Sequence, residues 1–357
     1  MSDRPEPRSV IGVGIATSAL ADTSGDPALR RALHEELIED LSVHGTLVFT
    51  SQAHLEMFVA AVRSLPSSLA KAWETVLSSR RVSVQVHDPQ ITDALSEMLD
   101  PTELDEQLAP QVQLVLMEAV QAELLGVPDD EFSALTPGGL VEIGRITTAG
   151  RTTALLAARQ ALDAPLREGV NREVEWTQRF GPLCDASSPV VVYDKFVAQQ
   201  VIRRYIYEQP TSGDGLTWLL SRISMTTDRR VRIITSVTDV PDRGRNFDEE
   251  TAALAFRRLM APLRERRLRL DVVLVPERVK GAPGRAPERF GHDRHIRFGD
   301  RAALALGVGL QAFATGTLRE TTTVARLPIA DAKAREERAI KSALRPPEGG
   351  WLGPAPL

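Results

Sequence analysis

His292-Asp-Arg-His-Ile-Arg-Phe-Gly-Asp-Arg-Ala-Ala-Leu-Ala-Leu-Gly-Val-Gly-Leu-Gln-Ala-Phe313 is the stretch whose reading decides the fold of the C-terminal half. A loop delivers His292 and Arg294 to the start of a short strand at His295–Phe298. A β-turn at Gly299–Asp300 follows, then a second strand at Ala302–Leu306. Gly307-Val-Gly309 closes the stretch before a helix. Residues two apart on a strand point to the same side, so His292 and Arg294 belong together and His295 points the other way. Glycines at a strand-to-helix turn let backbone N–H groups come close to a phosphate. A histidine that attacks phosphorus or protonates a leaving oxygen, beside an arginine that neutralises the remaining oxygens, suits a phosphodiester.

Upstream, Val190–Tyr193 reads as a buried strand ending at Asp194, with a helix to about Tyr207. Gly215–Ile223 reads as a helix, Val231–Val237 as a strand, Phe247–Arg267 as a helix and Leu268–Val275 as a strand. Val279–Pro287 is a loop and Thr321–Leu327 a last strand. Arg264, Arg266, Arg267 and Arg269 cluster at a helix–strand junction, and Arg285 and Arg289 precede the opening stretch. Such arginines suit either a solvated surface or a groove that tracks phosphates.

These residues resemble the C-terminal, phospholipase-D-like domain of microtubule-interacting-and-trafficking (MIT) domain proteins. The matching features are His292-Asp293-Arg294, Ile296, Arg297, Phe298, Gly307-x-Gly309-Leu310, Phe313 and the opening Val190-Val-Val-Tyr-Asp194-Lys-Phe196. The resemblance implies an α/β fold and a phosphate-facing role for His292 and Arg294, with Gly307, Gly309, Arg289 and Arg297 around the phosphate. Asp194 then pairs with Arg294 or His292, or simply ends its strand. Active phospholipase-D-like enzymes resemble one another in a His-x-Lys motif with an Asp five residues after the Lys. Here Arg294 replaces the Lys and Gly299 holds the later position, with Asp300 one residue late. Arginine is not a neutral exchange for lysine, because its planar fork occupies different space. Two motifs are needed per active site, so catalysis implies a homodimer.

The first half has a different character. Residues 1–135 carry 8 Lys/Arg against 22 Asp/Glu, whereas 181–330 carry 24 against 17. Ser9–Ile15 and Thr46–Thr50 read as buried strands, Pro27–Leu41 as a helix, and Ser51 as the cap of another running to Val62. A helix at 67–78, a strand at Val82–Val86 and a long amphipathic helix over 102–125 complete a β-α-β alternation that favours a parallel sheet. Ile15-Ala16-Thr17-Ser18-Ala19-Leu20 resembles the opening of PIN-type metal nucleases, with Glu56 and Asp88 (and Asp93) as later acids. That resemblance implies Mg²⁺ or Mn²⁺ held by carboxylates. Ala16 stands where the first metal-binding aspartate belongs, which weakens the site; otherwise no cofactor is expected. The spacing of His34, His44, His54 and His87 matches no metal motif and suggests surface or capping roles.

The chain thus reads as α/β throughout: an acidic, PIN-like α/β domain over 1–135, a helical connector over 136–180, a phospholipase-D-like domain over 181–330 and a tail over 331–357. A single cysteine, Cys184, excludes an intramolecular disulfide and a cysteine zinc site. The N-terminal MSDRPEPRSV lacks the apolar run of a signal peptide, so a cytoplasmic protein is expected. Three functions fit: a phosphodiester-directed effector, such as a nuclease of bacterial antiviral defence with nucleic acid as partner; a non-catalytic module for anionic membrane lipid or a protein partner; or a metal-dependent PIN-like nuclease. A homo-oligomer and a partner protein from a multi-gene system are the assemblies these readings imply.

Overall fold

The computed structural model describes residues 8–20, 26–78, 82–86, 95–98, 100–109, 111–207, 215–224, 229–237, 249–261, 268–276, 278–279, 288–289 and 294–343. The chain divides into two compact units, Met1–Leu162 and Asp163–Leu357, each mixed α/β around a six-stranded sheet.

The first sheet is built from β1 (Ile11–Ile15), β2 (Gly45–Phe49), β3 (Ser83–Val86), β4 (Leu114–Met117), β5 (Ser133–Leu135) and β6 (Glu142–Arg145). Its order is β3-β2-β1-β4-β6-β5, parallel except for β5. All residues of β1, β2 and β4 are buried, as expected of strands covered by helices on both faces. Asp26 caps the helix Pro27–His44 by accepting from Ala28 N at 3.0 Å, with Pro27 at the first turn. Ser51 caps Gln52–Ser64 by accepting from His54 N at 3.1 Å. Phe49, Phe58 and Trp73 meet edge to face at 5.1 and 5.7 Å in the core.

Two sequence expectations need correction in this unit. The span 102–125 is not one helix but Pro101–Leu108, the strand β4 and Ala119–Leu124. Pro110 offers no N–H to continue a helix, and Leu114-Val-Leu-Met117 is apolar on both faces, as a central strand requires. Nor is 136–180 a connector. Glu142–Arg145 adds β6 to the first sheet, and the division falls at Leu162. Two buried carboxylates hold this region. Asp105 accepts from Gly138 N (2.7 Å), Val141 N (3.1 Å) and the Thr136 hydroxyl (2.5 Å). Glu142 accepts from Thr153 N and Ala154 N at the start of the helix Thr153–Asp163.

The second sheet contains β7 (Val190–Tyr193), β8 (Arg229–Val237) and β9 (Leu268–Pro276), mutually parallel. A two-residue ribbon, β10 (Arg278–Val279) with β11 (Glu288–Arg289), stands apart from it. β12 (His295–Phe298), β13 (Ala302–Leu306) and β14 (Val324–Arg326) complete the order β14-β13-β12-β7-β8-β9 by antiparallel pairing. Phe180, Phe298, Phe313 and Trp218 pack into one aromatic group, with Phe180–Phe313 at 5.1 Å and Trp218–Phe313 at 5.2 Å. The expected helix Phe247–Arg267 is seen as Glu249–Met260, and the expected strand Thr321–Leu327 as β14. Of the expected tail 331–357, residues 331–341 belong instead to the helix Ile329–Lys341 packed on this sheet, and 344–357 lie outside the described residues. Among the described residues no helix is long and apolar enough to cross a membrane.

Candidate functional site

In a sheet of this kind ligands favour the carboxyl ends of the strands, where the strand order reverses. In the second sheet the chain leaves β7 toward β8 on one side and returns as β12 on the other. His295 pairs with Tyr193, so Arg294, one residue earlier, comes opposite Asp194, one residue later. No local pattern in the chain signals this register, since 100 residues separate the two.

Asp194 is buried, and its Oδ1 accepts from Phe196 N at 2.9 Å while Oδ2 accepts from Leu310 N at 3.3 Å. Burial pushes its carboxyl above the usual aspartate range, opposed by those two N–H groups and the Arg294 charge. Arg294 is half-buried, and its guanidinium carbon lies 4.8 Å from the Phe196 ring centroid, a cation–π distance. Its Nε is enclosed and has no hydrogen-bond partner among the described residues. Gly309 closes the site from above with φ +63°; a Cβ there would fall on Asp194 Oδ2 and within 2.5 Å of Arg294 Cδ. Only glycine admits the turn this closely. Across on β8, Thr235 Oγ1 accepts from Ala198 N at 3.0 Å, which fixes the start of the helix Val197–Ile206 beside the same edge.

The structure brings together Asp194, Arg294 and Gly309, and it parts the other predicted residues. His292 and Asp293 lie outside the described residues, as do Arg264, Arg266, Arg267 and Arg285. Arg289 is placed only by its backbone in β11. Gly307 does not offer its N–H to a ligand, because that group donates to Thr323 O at 3.2 Å. The neighbouring Val308 N donates to Thr322 Oγ1. Arg297 is the clearest correction. It lies on the other face of β12, buried, with Nε and Nη2 on Glu336 at 2.8 and 2.6 Å and Nη1 on Gly299 O at 2.6 Å. His295 shares that face. Its ring stacks on Tyr193 at 4.8 Å and its Nε2 lies 3.3 Å from Glu336 Oε1. No local pattern announces Glu336. It lies 39 residues from Arg297, in a helix whose buried residues are Ala332, Glu336 and Ala339.

In the first unit the order reverses between β1 and β4, so Ala16, Ser18 and Glu118 stand at the corresponding edge. Glu56 faces solvent on its helix, bonded by Gln52 at 3.2 Å. Asp88, Asp93 and His87 lie outside the described residues. Among those described, no group of three His, Cys, Asp or Glu is placed to hold a metal.

His34, His44 and His54 are all buried, contrary to the surface reading. His54 Nδ1 accepts from Thr50 N at 3.3 Å, which requires a neutral ring with its proton on Nε2, donated to Ile15 O at 3.2 Å. It thereby ties the ends of β1 and β2. Burial lowers the pKa of His54 below its ordinary 6.5, opposed by the Ile15 carbonyl. The stability this gives is present in full above pH 6.5 and is lost as the pH falls through the depressed folded value. Urea midpoints should therefore decline from about pH 7 to pH 5 more steeply in the wild type than in His54→Gln, which cannot titrate. Parallel profiles would remove His54 from this role.

No protein-family model matches this sequence, and no curated protein shows significant similarity to it.

Proposed function

We propose that the second unit binds a phosphodiester at the edge formed by Arg294, Asp194 and Gly309, and that the protein is a phosphodiester-directed effector with nucleic acid as its ligand. The observation that carries this reading is Arg294 itself. Arg294 is half-buried, backed by the Phe196 face, opposite Asp194 and, among the described residues, left with an unpartnered Nε at the point of strand reversal. An arginine fixed this way is prepared for a bidentate phosphate contact and loses little freedom on making it. Asp194 is a positioning group in this reading. Both of its oxygens accept backbone N–H groups, so it anchors the turn at Leu310 rather than exchanging protons with a substrate. Cleavage would fall to His292, acting as nucleophile or acid in a homodimer.

A binding-only module is the second reading, favoured by Arg294 in place of lysine and by the commitment of Asp194 to the backbone. Labelled single- and double-stranded RNA and DNA separate the two. In EDTA, cutting that is lost in His292→Ala supports the enzyme; binding without cutting supports the module. In either case Arg294→Ala is expected to weaken binding roughly 10- to 100-fold, the loss of a charge-assisted hydrogen-bonding group. Unchanged affinity in Arg294→Ala would overturn both. Cutting only with Mn²⁺, indifferent to His292, would move the chemistry to the first unit.

A further inference from the structure

The amino ends of β8 and β9 bring together two arginines that the described fold does not neutralise. The strands are parallel and in register, with Arg230 beside Arg269 and Arg232 beside Asp271. Neighbours in such a register point to the same face, about 4.8 Å apart at the backbone. The second rung is a matched pair, in which Arg232 Nε donates to Asp271 Oδ2 at 2.6 Å. The first rung sets two cations side by side. Both arginines are exposed, and among the described residues neither guanidinium has an ion pair. Like charges directly opposite each other in a sheet repel and destabilise it, so this rung favours an added anion.

The rest of that face is occupied. Ile234, Val273 and Val275 pack with Ala339 of the helix Ile329–Lys341, toward the carboxyl ends of β8 and β9. Arg230 and Arg269 stay exposed at the amino ends. We propose that Arg230 and Arg269 together clamp a backbone phosphate of a nucleic-acid strand, as a docking surface separate from the Arg294 edge. Two planar guanidinium forks on adjacent strands can share the oxygens of one phosphate. Residues 181–330 carry 24 Lys/Arg against 17 Asp/Glu, a balance that attracts a polyanion. Among the described residues of β8 and β9 no large apolar side chain is exposed to enter a bilayer, which favours nucleic acid over a membrane surface. Tyr193 pairs with both Ile234 and His295, so the level of Arg294 and Asp194 lies roughly 16 Å along the strands from Arg230.

The test is binding of the full chain to a labelled oligothymidylate over a salt series, in the wild type and in the double variant Arg230→Ala, Arg269→Ala. The double variant should bind roughly 5- to 20-fold more weakly at low salt. Its slope of log affinity against log salt should be shallower by about 0.7, the value for one phosphate on a single strand. The same loss is expected when both changes are made in Arg294→Ala, so failure of that edge leaves this result readable. The urea midpoint should not fall, because removing the pair relieves repulsion. Affinity and slope equal to the wild type, or a wild type that does not bind the strand, would overturn the proposal. A lower urea midpoint would assign the two arginines to the fold. Loss of binding to phosphatidylserine vesicles, with oligothymidylate binding intact, would assign the surface to a membrane instead.

Discussion

Glu336→Ala is expected to destabilise the protein by about 3–5 kcal/mol, the cost of leaving a buried arginine without its partner. Arg297 is buried and directs two of its nitrogens at that carboxylate, and His295 shares it. Burial opposes the charge of Glu336, yet the hydrogen bonds from Arg297 and His295 outweigh it and hold the carboxyl below the usual glutamate range. The contribution is therefore complete above the ordinary carboxylate pKa and is lost only as the pH falls through the lowered one. Denaturant unfolding at neutral pH should show the full loss in Glu336→Ala, and the gap from wild type should narrow in acid. A loss below about 1 kcal/mol would mean that the Arg297 guanidinium finds other acceptors.

Gly309→Ala is expected to weaken phosphodiester binding by more than about tenfold while leaving most of the fold in place. The φ of +63° costs a non-glycine residue about 1–3 kcal/mol. The added methyl also falls on Asp194 Oδ2 and within 2.5 Å of Arg294 Cδ, so the turn or the arginine must move. Leu310 N would then lose Asp194, and Arg294 its fixed position over Phe196. Binding weakened by more than about tenfold, with circular dichroism unchanged, is the expected result; a one-ångström misplacement of a positioned group has effects of this size or larger. Wild-type affinity in this variant would show that Gly309 serves the fold alone.

Much of the architecture was readable from the chain. The buried runs at Ile11–Ile15, Gly45–Phe49 and Val190–Tyr193, the helices at Ser67–Ser78 and Gly215–Ile223 and the cap at Ser51 all follow from local periodicity and capping chemistry. Where local signals conflicted, the reading failed. Over 102–125 the polar flanks mimic an amphipathic helix and mask the local signals of Pro110 and the apolar Leu114–Met117, which lies as a strand between β1 and β6. The sequence leaves open whether Asp194 pairs with Arg294, pairs with His292 or simply ends its strand; the register of β7 with β12 brings Arg294 opposite Asp194, and His292 lies outside the described residues.

The sequence by itself determined that both halves are α/β, that Arg294 stands at a strand entrance and that Arg297 lies one strand period beyond His295. Only the tertiary structure decided which face each side chain serves. In the sequence Arg297 reads as a phosphate ligand, yet the helix Ile329–Lys341 places Glu336 against it; Glu56 lies exposed on its helix, and its companion Asp88 is outside the described residues. The reason is physical. Periodicity fixes how a residue alternates within its own element, but the partner of a buried charge is chosen by packing between elements far apart in the chain, and no local pattern records that choice.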